Sequence, residues 1–195
     1  MNNSDLTYGF MELFTSENQY EELSYLHKEI LNDSLVSNMS KSDLVKFYKL
    51  SIKNELMKVI VVMDKGNVIG SISYSYKNSK SIFFKLDFFK LLILLLKCIL
   101  KQPINSVNKL FYRFKTYAFL DTGTNIPFLF IDDKYRNRNI GTNFLKMIKK
   151  EVTDVISVDT STNNNVAISF YLSNEFDIVR KNNKITLFIF QKKNN

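Results

Sequence analysis

The stretch from Ile126 to Lys150, IPFLFIDDKYRNRNIGTNFLKMIKK, constrains the fold more than any other part of the sequence. Its first six residues form an apolar run typical of a buried strand, and residues from about Ile140 to Val152 have the spacing of an amphipathic helix. Two arginines and two asparagines lie between them. A strand that leads so directly into a helix indicates a mixed α/β arrangement.

Similar patterns place the other elements. Ser16 is expected to cap the first helix, because serine at the N-cap accepts a hydrogen bond from a free backbone N–H. The turn residues 64–67 predict a hairpin between two runs rich in β-branched residues. The predicted single strands are 8–15, 126–132, 154–159, 176–181 and 184–191, and the hairpin spans 58–76. The predicted helices are 16–35, 40–56, about 140–152 and 164–176.

The positive charge is concentrated in one part of the chain. The formal net charge is +8, and residues 80–115 hold eight basic residues against Asp87 alone. The apolar run FFKLDFFKLLILLLKCILK lies in this region, but its charges interrupt the roughly 20 apolar residues that a membrane-spanning helix needs. We expect an inserted helix that packs on the domain. The alternative is an interfacial helix, residues 83–100, on an anionic membrane surface.

Cysteine and histidine are too few for several kinds of site. Cys98 is the one cysteine and His27 the one histidine, so an intramolecular disulfide is excluded and no metal site is predicted. Cys98 is expected to be a buried, inert thiol. His27 is adjacent to Leu23 and Ile30 on the predicted first helix, which favours a structural role at the helix edge over a catalytic one.

Two further expectations concern location and partners. The N-terminal residues lack the basic and apolar regions of a signal peptide, so a cytoplasmic protein is expected. No nucleic-acid recognition motif accompanies the basic segment, and nucleic acid is therefore not an expected partner.

The junction between the strand at 126–132 and its helix has the chemistry of an anion site. A helix that begins there presents N–H groups without intrahelical partners and the positive end of its dipole. Arg136 and Arg138 add guanidinium groups that match phosphate geometry. Gly141 permits close backbone approach, and Asn139 tolerates a positive φ angle. The junction predicts a pyrophosphate cradle, with an ordinary turn carrying solvated arginines as the alternative.

The stretch from Ile131 to Gly141 resembles motif A of the GNAT acyltransferase superfamily. That motif reads aliphatic, x, Pro, x, Tyr, then (Arg/Gln)-x-x-Gly-x-(Gly/Ala), and the corresponding residues here are IDDKY and RNRNIG. Asp133 stands in place of the proline and Asn139 in place of the first glycine.

A second resemblance lies downstream, in NNVAISFYLSNEF, residues 164–176. It is similar to the family pattern Asn-x-x-Ala-x-x-(Leu/Phe)-Tyr-x-x-x-Gly-Phe. Glu175 replaces the glycine that ends the family's helix in a left-handed conformation, and we expect Asn174 to take that conformation one residue earlier.

The resemblance implies a single domain of residues 1–195, with an atypical insert at about 77–123. The implied fold is of the acyl-CoA N-acyltransferase type, mixed α/β (α+β). It has a central, mostly antiparallel twisted sheet of 6–7 strands, about four flanking helices and the inserted helical segment.

Family members bind acetyl-CoA, or another acyl-CoA, between two splayed strands, and the resemblance assigns the contacts accordingly. The backbone of Leu129, Phe130 and Ile131 would pair with the pantetheine arm, and one N–H there would polarise the thioester carbonyl. Asn164 would bond the cofactor or support the loop before its helix. The pyrophosphate would be held by Arg136, Asn137, Arg138, Asn139, Ile140, Gly141 and Thr142.

The implied reaction is direct transfer of an acetyl or other acyl group to a primary amine in a ternary complex. Tyr171 is neutral at pH 7 and would protonate the departing thiolate. Asp159, at the end of the second splayed strand, would be the general base. An open alternative is that Asp159 is a loop residue whose side chain caps the backbone that follows it.

The sequence does not identify the acceptor. The expected acceptor is an amine-bearing small molecule or peptide, and the basic and apolar insert favours an acidic or amphiphilic one, such as a protein N-terminus, a peptide or a lipid-like amine. The protein is expected to be a monomer or a homodimer. Two other functions stay open. One is a non-catalytic acyl-CoA-binding module, which the departures at Asn139 and Glu175 favour. The other is a membrane-surface interaction protein that uses residues 83–100.

Overall fold

The computed structural model describes residues 6–12, 15–31, 34, 36–76, 86–101, 123–152 and 155–191. The strands in these ranges are β1 (Leu6–Phe10), β2 (Lys58–Asp64), β3 (Asn67–Tyr76), β4 (Thr124–Ile131), β5 (Ile156–Ser161), β6 (Asp177–Lys181) and β7 (Ile185–Phe190). The helices are α1 (Glu17–Ile30), α2 (Lys41–Lys53), α3 (Leu86–Lys101), α4 (Ile140–Glu151) and α5 (Asn165–Ser173). Short 3₁₀ turns occur at Val36–Asn38 and Asp133–Tyr135.

The seven strands form one sheet in the order β1-β2-β3-β4-β5-β7-β6. The neighbouring strands pair in antiparallel fashion except for β4 and β5, which are parallel. This arrangement confirms the predicted mostly antiparallel sheet of 6–7 strands. The parallel pair needs a long crossover, and α4 supplies it.

Helices cover both faces of the sheet and create two apolar cores. The first core lies under α1, α2 and α3 and includes the β4 side chains Phe128 and Phe130. The second lies under α4 and α5 and includes Ile126 from the same strand. One strand therefore contributes to both cores, and the site described below forms along it.

Local sequence signals account for most element boundaries. The Ser16 side chain accepts from the Gln19 N–H, and the Gln19 side chain accepts from the Ser16 N–H, so the predicted N-cap of α1 is confirmed as a capping box. The predicted hairpin turn has two central residues with positive φ, Lys65 at 50° and Gly66 at 86°. That geometry is typical of the type I′ turn, which matches the twist of the two strands.

Several predicted boundaries were wrong. β1 runs from Leu6 to Phe10, not from residue 8 to 15, because its pairing with β2 runs from Leu6 opposite Asp64 to Phe10 opposite Ile60. α2 ends at Lys53, not at residue 56. α1 ends at Ile30, not at residue 35, since the sequence continues with Asn, Asp and Ser, whose side chains compete with helical hydrogen bonds.

A β-bulge interrupts β4 at Ile126 and Pro127. Ser73 of β3 is opposite Phe128 and Ser75 is opposite Asn125, so two residues of β4 face the single residue between those serines. A bulge bends its strand and increases the local twist. Proline is tolerated there because it has no N–H to contribute to the ladder. The bulge also explains why Ile126 and Phe128, two positions apart, point into different cores.

The helix predicted within the insert is present as α3. It packs against α2 and the 3₁₀ turn at Val36–Asn38 through Leu91, Leu94 and Cys98, and the predicted burial of the Cys98 thiol is confirmed. Burial raises the pKa of that thiol, which keeps it protonated. Residues 77–85 and 102–122 of the predicted insert are outside the described part of the chain. No helix in the described ranges has the length and apolar character to cross a membrane.

His27 is inside the first core, so its predicted place at the helix edge was wrong. Its side chain is fully buried and bonded on both nitrogens, with Nδ1 2.6 Å from the Tyr48 hydroxyl and Nε2 2.9 Å from the Ser34 hydroxyl. The ring packs on Phe128 and Phe130 at centroid distances of 4.7 and 5.4 Å. Burial lowers its pKa from 6.5 to about 3, so the imidazole is neutral in the folded protein.

Neutral burial of His27 predicts a specific loss of stability in acid. Between pH 6.5 and pH 3 the unfolded chain binds a proton at His27 that the folded protein does not, so the free energy of unfolding decreases as the pH falls. From pH 7 to pH 5 the expected loss is about 2 kcal/mol. Urea denaturation should show this loss in the wild type and a smaller one in His27→Gln. Parallel pH profiles for the two proteins would contradict the burial of a neutral imidazole.

Candidate functional site

The parallel strands β4 and β5 separate after a short region of pairing. They are paired only from Thr124 opposite Ile156 to Ile126 opposite Val158, although β4 continues to Ile131 and β5 to Ser161. Pro127 follows immediately on β4 and cannot donate a ladder hydrogen bond. Beyond this point the two strands form the walls of a V-shaped opening in the sheet.

The C-terminal half of β4 presents main-chain N–H and C=O groups to this opening. The Asp132 N–H donates to the Ile69 carbonyl of β3 at 2.8 Å, and successive peptide groups of a strand point in alternate directions. The N–H and C=O groups of Leu129 and Ile131 therefore face the opening, whereas those of Phe130 face β3. The Phe130 side chain is buried in the first core.

A groove of about 1270 Å³ runs along the opening. The predicted site residues that contribute to its wall are Leu129, Phe130, Ile131, Arg136, Asn137, Asn139, Ile140, Gly141, Thr142, Asp159, Asn164 and Tyr171. Arg138 was also predicted but is not part of the wall. Sequence analysis did not identify several other wall residues, among them Pro127, Thr160, Ser161, Asn163, Phe170 and Lys184. Within the described ranges, no group of three His, Cys, Asp or Glu side chains is placed to hold a metal ion.

The turn between β4 and α4 ends in two left-handed asparagines. Asn139, the N-cap of α4, has a φ of 59°, which confirms the positive φ expected there, and Asn137 has a φ of 61°, which was not predicted. The Asn139 side chain makes no capping hydrogen bond. The first helical bond runs from the Asn143 N–H to the Asn139 carbonyl at 2.9 Å.

That helix start provides donors at the groove. The N–H groups of Ile140, Gly141 and Thr142 are outside the hydrogen-bond ladder of α4, and all three residues line the groove. The first turn of α4 contains no acidic residue. The helix start therefore offers main-chain donors and a positive dipole end to an anion.

Side chains of the turn hold it against the β2–β3 hairpin. The Tyr135 hydroxyl donates to Asp64 at 2.6 Å, and the Arg138 guanidinium stacks on the Tyr135 ring at 4.9 Å. Arg136 pairs with Asp133 at 2.7 Å, the residue that replaces the family's proline. The turn is thus anchored by a tyrosine whose role the sequence pattern alone did not reveal.

Gly141 is required by the close approach of α5 to α4. A Cβ atom at this position would lie 2.9 Å from Cζ of Phe170 and 3.5 Å from Cδ1 of Ile131. The missing side chain lets the Phe170 ring pack directly on the first turn of α4. The two elements that carry the turn and Tyr171 are therefore in contact at the groove.

Tyr171 is buried within an aromatic cluster beside the groove. Its ring lies 5.2 Å from Phe170, 5.6 Å from Phe176 and 5.4 Å from Phe188, measured between centroids. Burial raises the pKa of Tyr171 above its ordinary value of 10.0, and the nearby carboxylate of Asp159 raises it further. The phenol is therefore protonated at neutral pH and can act as a proton donor.

Asp159 lies within β5, where it is paired with Leu187 of β7, so the alternative of a loop residue was wrong. Its side chain is partly buried and lines the groove together with Tyr171. The structure thus brings together the two side chains that the sequence proposed as base and acid.

Asn164 caps α5, because its Oδ1 accepts from the Ala167 N–H at 3.0 Å. This contact favours the structural alternative for Asn164, support of the loop between β5 and α5. The residue also lines the groove.

At the other end of α5 the left-handed residue is Glu175, with a φ of 67°, so the prediction for Asn174 was wrong. The Phe176 N–H donates to the Tyr171 carbonyl and the Glu175 N–H to the Leu172 carbonyl, both at 3.1 Å, which is the Schellman pattern. Lys149 of α4 bonds the Asn174 carbonyl at 2.7 Å and the Glu175 carboxylate at 3.0 Å. These contacts explain how a residue other than glycine is tolerated there.

Comparison with known proteins identifies the fold. No family model matches the sequence, and no curated protein sequence does. Among solved structures, the NatC complex bound to Gag peptide and CoA is 13% identical, with a TM-score of 0.59 over 97% of this chain and 99% of that chain. NAA60 from Arabidopsis thaliana in complex with a bisubstrate analogue is 14% identical, with a TM-score of 0.56 over 94% of this chain and 97% of that chain.

An acetyltransferase of the GNAT family from Staphylococcus aureus is similar to the same degree. It is 13% identical, with a TM-score of 0.55 over 94% of this chain and 98% of that chain. The protein therefore has the GNAT acetyltransferase fold.

The left-handed conformation of Asn139 predicts how substitutions there affect stability. Asn139→Gly should keep or slightly increase the free energy of unfolding, because glycine adopts a positive φ without strain. Asn139→Val should lower it by about 1–3 kcal/mol, since a β-branched residue is strained in this region. Urea denaturation measures both, with Lys146→Val on the exposed side of α4 as the control. Equal stability of the valine and glycine variants would contradict the left-handed turn.

Proposed function

We propose that the protein is an acetyl-CoA-dependent N-acetyltransferase that transfers the acetyl group directly to a primary amine in a ternary complex. One observation carries this proposal: the exposed main chain of β4 leads, within a single turn, to the free N–H groups at the start of α4. A long ligand with an amide-containing arm and a pyrophosphate has the polar groups that such a surface can bind.

Acetyl-CoA matches the groove in the order of its polar groups. Its pantetheine arm would lie along β4 as an added strand, with hydrogen bonds to Leu129 and Ile131. Its pyrophosphate would accept from the N–H groups of Ile140, Gly141 and Thr142. The groove volume of about 1270 Å³ is ample for a cofactor together with an acceptor.

The other turn residues have supporting roles in this arrangement. Asn137 and Asn139 give the main chain its two left-handed positions, and so direct the N–H groups toward the phosphates. Arg136 and Arg138 add positive charge beside the cradle, although each also has a partner within the chain. Asn164 positions the loop from β5 to α5, and Phe130 holds β4 against the first core.

The reaction proceeds by attack of the neutral amine on the thioester carbonyl. A C–N bond forms, and the negative charge that develops on the carbonyl oxygen is stabilised by a main-chain N–H of β4 that faces the groove. The C–S bond then breaks. Tyr171 gives its phenolic proton to the departing thiolate, and Asp159 accepts the proton that the amine loses, directly or through water.

The acceptor is an amine on a peptide or a small molecule. Two structures with this fold, NatC bound to Gag peptide and CoA and NAA60 in complex with a bisubstrate analogue, support a peptide amine as an acceptor. In the present chain the acceptor would enter beside the C-terminal end of α1, where Ile30, Leu31 and Ser34 line the wall.

Replacement of Tyr171 by phenylalanine tests the assigned acid. The ring packing would be retained and the proton donor lost, so kcat should fall by about 10²–10⁴-fold while the Kd for acetyl-CoA changes little. The measurement is release of the CoA thiol with a panel of peptides and small amines. Tyr25→Phe, at an exposed tyrosine of α1, is the matched control.

Two results would overturn parts of this proposal. Wild-type turnover by Tyr171→Phe would exclude the tyrosine as the acid. A wild-type protein that binds acetyl-CoA but transfers it to no amine in the panel would favour a non-catalytic acyl-CoA-binding module.

A further inference from the structure

Helix α3 has a second apolar face that points away from the domain. Leu91, Leu94 and Cys98 are buried against α2, whereas five other large apolar side chains are exposed: Phe89, Leu92, Ile93, Leu96 and Leu100. Leu100 is 77% exposed and Leu96 47%. Helices of soluble domains usually present polar residues on the side opposite their core, so this face requires another explanation.

The residues of α3 are arranged in three separate arcs. With 3.6 residues per turn, each residue advances about 100° around the axis. The five exposed apolar residues then fall within an arc about 100° wide, which lies roughly opposite the buried arc. Lys90, Lys97 and Lys101 fall together along one border of the exposed apolar arc, and all three are exposed.

We propose that this face of α3 binds the surface of an anionic phospholipid membrane. An apolar arc with lysines along its border is the arrangement that lets a helix lie in the membrane interface. The apolar side chains enter the acyl boundary, and the lysines extend to the headgroups. This inference does not depend on the proposed acetyltransferase activity.

The charge of the region favours an anionic membrane over a neutral one. Residues 80–115 contain eight of the chain's 27 basic residues and one acidic residue, Asp87. Each lysine or arginine near an anionic surface contributes about 1 kcal/mol of attraction, which salt screens. In the described part of this segment, Lys90, Lys97 and Lys101 lie beside the apolar face and supply this attraction to negatively charged headgroups.

A second copy of the chain is a poorer occupant for this face. A stable dimer interface buries about 800 Å² on each partner, and five partly exposed side chains on one helix provide less than that. Self-association through α3 would also bring two rows of lysines close together, and a net charge of +8 adds to that repulsion.

Co-sedimentation with vesicles tests the proposal on the full chain. Vesicles of phosphatidylcholine with phosphatidylglycerol should bind the protein, and vesicles of phosphatidylcholine alone should not. The bound fraction should fall severalfold when salt is raised from about 50 mM to about 500 mM. Equal binding to both vesicle types, or no binding to either, would overturn the proposal.

Matched substitutions separate this face from the rest of the surface. Leu96→Ser should lower the bound fraction at least about fivefold, whereas Leu172→Ser, at an equally exposed leucine of α5, should not. The double variant Lys90→Glu with Lys97→Glu should abolish binding, while Lys65→Glu with Lys146→Glu should retain most of it. Circular dichroism confirms that each variant is folded.

Oligomeric state gives an independent readout. Sedimentation velocity without lipid compares the oligomeric state of the wild type with that of Leu96→Ser. The two proteins should sediment alike, with no dimer that is present in the wild type and absent from the variant. A dimer lost in that variant would assign the face to a second copy and overturn the membrane proposal, as would equal losses of vesicle binding in Leu96→Ser and Leu172→Ser.

Discussion

The early end of pairing between β4 and β5 is the constraint on which the site depends. A bulge at Ile126 and Pro127 bends β4 at the point where its pairing with β5 stops, and the missing proline N–H removes the next possible ladder bond. The sheet therefore opens without losing β4, which is still paired with β3 up to Ile131. The result is a stretch of main chain in the middle of a sheet whose N–H and C=O groups are exposed. In that position, main-chain N–H and C=O groups normally have hydrogen-bond partners.

The turn that follows β4 reaches the start of α4 through left-handed residues other than glycine. Asn137 and Asn139 adopt the left-handed conformation, and Glu175 does the same at the end of α5. Such residues cost free energy, and neighbouring contacts offset it: Tyr135 bonds Asp64 beside this turn, and Lys149 bonds Glu175. The departures from the family motifs at Asn139 and Glu175 are thus accommodated by the structure.

Much of the fold could be predicted because its signals are local. The Ser16 cap, the hairpin at Lys65 and Gly66, and the order of strands and helices around α4 follow from short-range preferences. The predictions that failed for His27 and Glu175 depend on contacts between residues that are far apart in the sequence. His27 is buried by aromatic rings of β4 about 100 residues away, and Glu175 is supported by another helix. No residue pattern signals contacts of this range. The bulge had one local signal, a proline within a strand, which indicates a bulge or an edge.

Acetyl-CoA binding to two variants of Thr142 tests the central claim most directly. A glutamate in the first turn of α4 stabilises the helix but opposes a pyrophosphate at its N–H groups, whereas glutamine adds the same bulk without charge. Calorimetry should give micromolar binding for the wild type, a value within about threefold for Thr142→Gln, and at least a tenfold loss for Thr142→Glu. No binding by the folded wild type, or equal affinities of the two variants, would contradict the account.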